Sequence, residues 1–347
     1  FILIFFYWII MYISIYVVQT WKKPKRSIIE ERYLPDGDKL FIWIIFGFSV
    51  ISTLVMWLKY GGARLFINFS DVYEYRNSGV SMKSYEQYFI YWNTHLILPL
   101  CMYIFFISRK YVRFVISIIM MLFSYAIFGN KIMFFYVFCV IGVVILSKIR
   151  IEALTDIMIG TFLLFYQTLC LLIPKGFLLA LDHRLLVIPS EAHYYYYDFF
   201  RTNELLYLRQ SILRFFFKAP YDRPVSLIIG GSQKYYPSVT INDINNMNNG
   251  WFSDAYQNFG VIGAVIYPLL IVFTLYMLFR AMQNYDQGFQ FIVLISSVIF
   301  LMSSSYFSWL LTGGIILLFL GLRHIRRTRY VERALRIRFL SEGSRSN

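Results

Sequence analysis

Apolar residues run along this chain in long unbroken blocks, and polar residues collect between them. A helix needs ~20 apolar residues, at ~1.5 Å rise each, to cross the ~30 Å hydrocarbon core of a bilayer. Residues 1–20, 40–58, 88–107, 114–128, 132–146, 157–173 and 259–279 each meet or approach that pattern. Residues 288–322 carry no charge and are too long for one crossing, and the polar run Ser303–Ser305 divides them into two. The pattern predicts an all-α polytopic membrane protein with about nine transmembrane helices. Six lie in residues 1–173 and three in 259–322. A long polar loop fills 174–258, and a basic tail fills 323–347.

Composition agrees. Hydrophobic residues are 59% and charged residues 15% of the chain, well to the membrane side of the ~45–50% and ~25% of soluble domains. The net charge of +14 changes the picture through its placement. With the loops after predicted spans one, three, five, seven and nine in the cytoplasm, that side holds most of the basic residues, as orientation requires. The tail from Arg323 to Arg329 then reads as a stop signal on anionic lipid, and nucleic acid is not an expected partner. The long loop falls on the outer, periplasmic side. The first block lacks the basic flank and cleavage site of a signal peptide. It runs from outside to inside, so a cytoplasmic N-terminus implies an odd number of further spans upstream. Cys101, Cys139 and Cys170 all sit in apolar blocks and suggest neither disulfides nor a metal site.

The chemistry is expected in the long loop. Arg184, Arg201, Arg209, Arg214 and Arg223, with Arg76 from an earlier outer loop, set positive charge on the side where orientation disfavours it. Arginine binds phosphate oxygens through paired hydrogen bonds that a lysine cannot copy, so a pyrophosphate at the membrane surface is one client. The plain alternative is salt bridging, with Asp198 and Glu204 near Arg201 and Asp222 beside Arg223. Residues 194–217 read as one amphipathic helix lying on the membrane surface, bounded by Pro220 and Pro224, its aromatics serving as anchors or as platforms for sugar rings. His193 stands outside the membrane as a candidate base or a plain surface residue, and His95 lies within a span. No nucleophile elbow, phosphate loop or metal-ligand spacing is present.

Three stretches carry a family resemblance. Asn248-Asn-Gly-Trp-Phe-Ser-Asp-Ala-Tyr-Gln-Asn-Phe-Gly-Val-Ile-Gly263 resembles the last-loop motif of bacterial O-antigen (oligosaccharide repeat unit) polymerases. The run from Phe69 to Arg76 resembles their first outer-loop motif, and Phe128-Gly-Asn-Lys131 resembles a short turn before a middle span. The resemblance implies a glycosyltransferase-C-like fold, similar to the O-antigen ligases, acting without metal or other cofactor. It implies substrates that are undecaprenyl-pyrophosphate-linked glycans, an inverting transfer that lengthens a surface polysaccharide, a bacterial inner membrane, and room for a chain-length regulator as partner. Arg76 matches the family's outer-loop arginine, whereas Arg184 and Arg201 match only by lying in the long loop. Ligases of this fold show His-Asn where this chain has Asn249-Gly250, so a histidine base does not carry over at that position. Asn249 is then placed to orient the acceptor or a phosphate oxygen. Asp254 becomes the first candidate base and His193 the second, with a helix N-terminal charge as the alternative role for Asp254. Gly260 and Gly263 are expected to serve close helix packing. A ligase with lipid A core as acceptor, or a transporter of the same lipid, are the competing readings. The absence of an internal repeat and of mid-span charge weighs against the transporter.

Overall fold

A computed structural model describes residues 2–21, 39–60, 83–146, 188–237, 246–247, 250–283, 285–302 and 304–322. Of the sequence expectations, the predicted sixth span, the basic tail, Arg76, Arg184 and Asn249 lie outside these residues. Helix is the only extended secondary structure among the described residues. In chain order the helices are α1 (Ile2–Trp21), α2 (Lys39–Tyr60), α3 (Ser84–Tyr91), α4 (Leu98–Ile107), α5 (Tyr111–Phe128), α6 (Lys131–Leu146), α7 (Ile188–Thr202), α8 (Val225–Gly230), α9 (Trp251–Ala281), α10 (Gln287–Leu301) and α11 (Tyr306–Leu311). Phe41–Tyr60, Tyr85–Ile107, Tyr111–Phe128 and Trp251–Ala281 are long and apolar enough to cross a membrane, and shorter apolar helices accompany them. The described residues are all-helical, and their long apolar helices make this a helical membrane protein.

The helices group into two compact units. In the unit formed by residues 27–145, 277–296 and 310–347, the Tyr85–Ile107 rod is the core, 78% buried in its most apolar window. It is not one α-helix. Between α3 and α4, Trp92–Ile97 form a π-helical turn in which the Leu98 N–H reaches back to the Asn93 carbonyl. Pro99 explains the widening, because its ring has no N–H to offer the His95 carbonyl and pushes against it. The turn aims Asn93 into α2, where its amide accepts from Ser49 Oγ (2.5 Å) and donates to Thr53 Oγ1 (3.0 Å). His95 is buried against Tyr91 and Tyr136, with Nδ1 3.2 Å from the Tyr136 hydroxyl. At the start of the rod, Glu86 accepts from the Lys83 N–H (2.9 Å) and Tyr60 (2.5 Å) and pairs with Lys59, which fastens α2 to α3. The predicted turn between α5 and α6 is built by Gly129 in the left-handed region (φ 60°) and by Asn130, whose side chain accepts the Ile132 N–H. Asp286 caps α10 by accepting the Gly288 and Phe289 N–H groups, and the Tyr103 hydroxyl bonds the same oxygen.

The other unit comprises residues 1–26, 146–276 and 297–309. Here α9 differs from its sequence expectation in two ways. It begins at Trp251, eight residues before the predicted span, and it bends sharply at Gly260 (φ 58°, ψ −136°). Before the bend its residues are buried and polar-rich. After it, Val261, Ile262, Val265, Ile266, Leu269 and Phe273 form an exposed apolar face. That face is what a bilayer would cover. Gly263 sits so close to the Ala255 carbonyl that any Cβ there would overlap it. These glycines therefore serve a fold-back within α9 rather than the packing of separate helices. The expected helix over 194–217 is also corrected. α7 ends at Thr202, and the chain runs on in successive turns to 217.

Candidate functional site

From Gly250 onward, the stretch that resembles the last-loop motif folds into a buried polar node at the start of α9. Gly250 caps the helix, and Ser253 completes the cap by accepting the Gly250 N–H at 2.8 Å. Position 250 is tight: a Cβ would lie 3.2 Å from both His193 Cε1 and the Met302 carbonyl, so a larger residue would press on the histidine. His193, on α7, has Nδ1 3.2 Å from Ser253 Oγ and meets the Phe252 ring edge-on. When Ser253 directs its hydroxyl to the Gly250 carbonyl (3.2 Å), His193 donates from Nδ1 and its lone pair sits on Nε2. Nε2 has no protein hydrogen-bond partner among the described residues. Burial holds the imidazole neutral, pulling its pKa from 6.5 down to about 4.

Asp254 is 2% exposed and fully engaged. Its Oδ1 accepts from Gln257 Nε2 (3.0 Å) and Asn258 Nδ2 (3.1 Å), and its Oδ2 accepts the Tyr306 N–H (2.8 Å). The carboxylate thus answers an N–H that the first turn of α11 cannot use internally, not one of its own helix. Tyr306 is held to α9 a second time by its hydroxyl, 2.7 Å from Thr274 Oγ1. The bend at Gly260 completes the node. It removes the helical donors that the Gln257 and Asn258 carbonyls would otherwise meet, and the chain after α7 supplies replacements. Leu206 N–H bonds Gln257 O (2.9 Å), Tyr207 N–H bonds Asn258 O (3.3 Å), and Leu208 N–H bonds Asn258 Oδ1 (2.9 Å). Tyr207 and Leu208 adopt positive φ (48° and 64°) to present these groups. Those bonds explain why helix does not continue through 217: tertiary partners take the backbone that a helix would have used.

The arginines separate into classes. Arg209 is structural, since it pairs with Glu204 and donates to the Leu205 and Leu206 carbonyls (3.1 Å each). The salt bridges that were the plain alternative for Arg201 do not form among the described residues: Glu204 goes to Arg209, and Asp198 pairs with Lys234 and accepts from Tyr235 (2.9 Å). The Lys234 ammonium, then the Tyr235 hydroxyl, hold the Asp198 carboxyl below its ordinary range. Arg201, Arg214 and Arg223 have exposed side chains, and none forms an ion pair among the described residues. Arg214 lies over the Phe215 ring at 4.7 Å. Sequence reasoning named Asp254 and His193 but missed Ser253, Gln257, Asn258 and Tyr306. Gln257 and Asn258, three and four residues after an aspartate, were a readable side-chain pairing signal. Tyr306 left none. Among the described residues, no three His, Cys, Asp or Glu side chains gather as metal ligands.

The neutral His193 gives a pH prediction. Its folded pKa lies below the unfolded value, so folding gains nothing from it above pH 6.5 and loses stability as pH falls from there toward 4, while only the unfolded chain takes up the proton. Between pH 7 and pH 5 the loss is about 2 kcal/mol. Denaturation midpoints of the detergent-solubilised protein at both pH values should show it, and a His193→Gln variant should lack that increment.

Compared with protein-family models, with curated proteins and with solved structures, the chain matches none.

Proposed function

We propose that this chain is a glycosyltransferase of the bacterial inner membrane that joins undecaprenyl-pyrophosphate-linked repeat units into a longer surface polysaccharide. One observation carries the reading. The described part of the motif-like stretch, Gly250–Gly263, forms a polar node directly where the exposed apolar face of α9 begins, beside an imidazole with an open Nε2. A lipid-linked donor presents its pyrophosphate at that depth, in reach of the periplasmic side. In the transfer, the acceptor hydroxyl oxygen bonds the anomeric carbon from the face opposite the pyrophosphate. The anomeric C–O bond breaks, and its electron pair leaves with the lipid pyrophosphate. The hydroxyl proton passes to His193 Nε2. Burial reverses the order of the candidates: Asp254 has both oxygens occupied and acts as a positioning residue, whereas His193 is neutral and open. Arg201, Arg214 and Arg223, exposed and without ion pairs among the described residues, suit a departing diphosphate, as Arg76 and Arg184 would.

A second reading, transport of the same lipid, has its own observation: the π-helical turn buries Asn93, Thr94 and His95 inside an apolar rod, and such turns and intramembrane polar groups recur at functional sites. Complementation of cells lacking the protein separates the readings. His193→Gln, expressed at normal level, should cut glycan elongation about 10²-fold, and Arg201→Ala should shorten the ladder. A normal ladder with His193→Gln would remove the base assigned here. Lipid-linked units trapped on the cytoplasmic face would favour transport.

A further inference from the structure

The turns that follow α7 end in three adjacent exposed rings. Phe215, Phe216 and Phe217 are 79%, 78% and 57% exposed, bracketed by the exposed cations Arg214 and Lys218. A fully exposed phenylalanine forgoes the gain of burial, so a run of three marks a surface that something covers.

The fold ties the root of this tip to α9. Its root, Leu206–Leu208, is hydrogen-bonded to Gln257 and Asn258, and Leu205 Cδ1 approaches Gly260. Tyr207 also meets the Phe259 ring, with centroids 6.1 Å apart. The exposed apolar face of α9 starts at Val261 and Ile262, 59% and 66% exposed, three and four residues after Asn258 and just past the bend. The tip therefore springs from beside the start of the apolar face that a bilayer would cover. Aromatic rings between basic side chains are what the headgroup layer selects: the rings take the acyl boundary and the cations take phosphate.

We propose that residues 213–218 form a wedge that dips into the headgroup layer of the bilayer the chain itself spans, with Arg214 and Lys218 on lipid phosphates. The wedge reports to the node, because Asn258 accepts the Leu208 N–H with one side-chain atom and donates to Asp254 with the other. The proposal rests on the membrane character of the fold and not on glycosyl transfer, so either can fail alone.

The test uses the full chain in vesicles of phosphatidylcholine and phosphatidylglycerol. A Phe216→Cys variant carries a fluorophore, with the labelled unsubstituted chain as background. Nitroxide near the top of the acyl chain should quench the label at least twofold while aqueous iodide barely reaches it. Changing Arg214 and Lys218 to glutamate should lift the label, and iodide quenching should rise about twofold. Strong iodide quenching with none by lipid nitroxide would place the tip in water and overturn the proposal. Protection that vanishes when the protein is diluted in lipid would assign the tip to a second copy of the chain, and would overturn it too.

Discussion

Replacing Asp254 by leucine is expected to destabilise the protein by about 3–5 kcal/mol, the range seen when a buried charge network loses one member. The residue is nearly isosteric, so the effect comes from hydrogen bonding and not from a cavity. Gln257 Nε2, Asn258 Nδ2 and the Tyr306 N–H would all lose their acceptor at a site that is 2% exposed. Asp254→Asn should recover only part of the loss, since one carboxylate oxygen becomes a donor facing donors. Denaturant titration in detergent measures both variants, and a shift below about 1 kcal/mol for leucine would mean that the node is not what joins α9 to α11.

Gly263→Ala should have an effect of similar size for a different reason. The new Cβ would fall on the Ala255 carbonyl, which is backbone and cannot swing aside as a side chain can. The bend at Gly260 would have to open. It is itself a backbone geometry (φ 58°, ψ −136°) that only glycine adopts at low cost. Opening it returns helical donors to the Gln257 and Asn258 carbonyls and displaces Leu206 and Tyr207. Amide hydrogen exchange at Leu206, Tyr207 and Leu208 should accelerate about 10²-fold, equivalent to about 3 kcal/mol of local stability. Gly47→Ala and Gly142→Ala are the controls: nothing lies within 4 Å of a Cβ at either, and both should be silent or slightly stabilising.

Much of the helical layout was readable because apolar block length is a strong signal. α1, α2, α5 and α6 begin and end within a few residues of their predicted spans. What stayed hidden depends on partners distant in sequence. Pro99 was visible in the third span, but the widened turn that it imposes on Trp92–Ile97 was not, because a proline can also kink a helix or merely begin one. The 194–217 pattern looked helical because its charges recur a turn apart, and nothing local announces that Leu206–Leu208 will bond the carbonyls exposed by a bend at Gly260. Arg201 and Glu204 were reasonable neighbours on that supposed helix. Once α7 stops at Thr202, Glu204 turns to Arg209 instead, and Arg201 is left exposed. The candidate site was legible as a place, through Asp254 and His193. Its internal roles were not, because burial decides them and burial is a property of the fold.

The most direct test is elongation by the purified chain alone. The protein is reconstituted in lipid vesicles with an undecaprenyl-pyrophosphate-linked repeat unit as the sole glycan, and products are sized by mass spectrometry. A ladder rising by whole repeat units, with release of undecaprenyl pyrophosphate and loss of both in His193→Gln, is the predicted result. Folded, vesicle-inserted protein that leaves the single repeat unit unchanged would contradict the account.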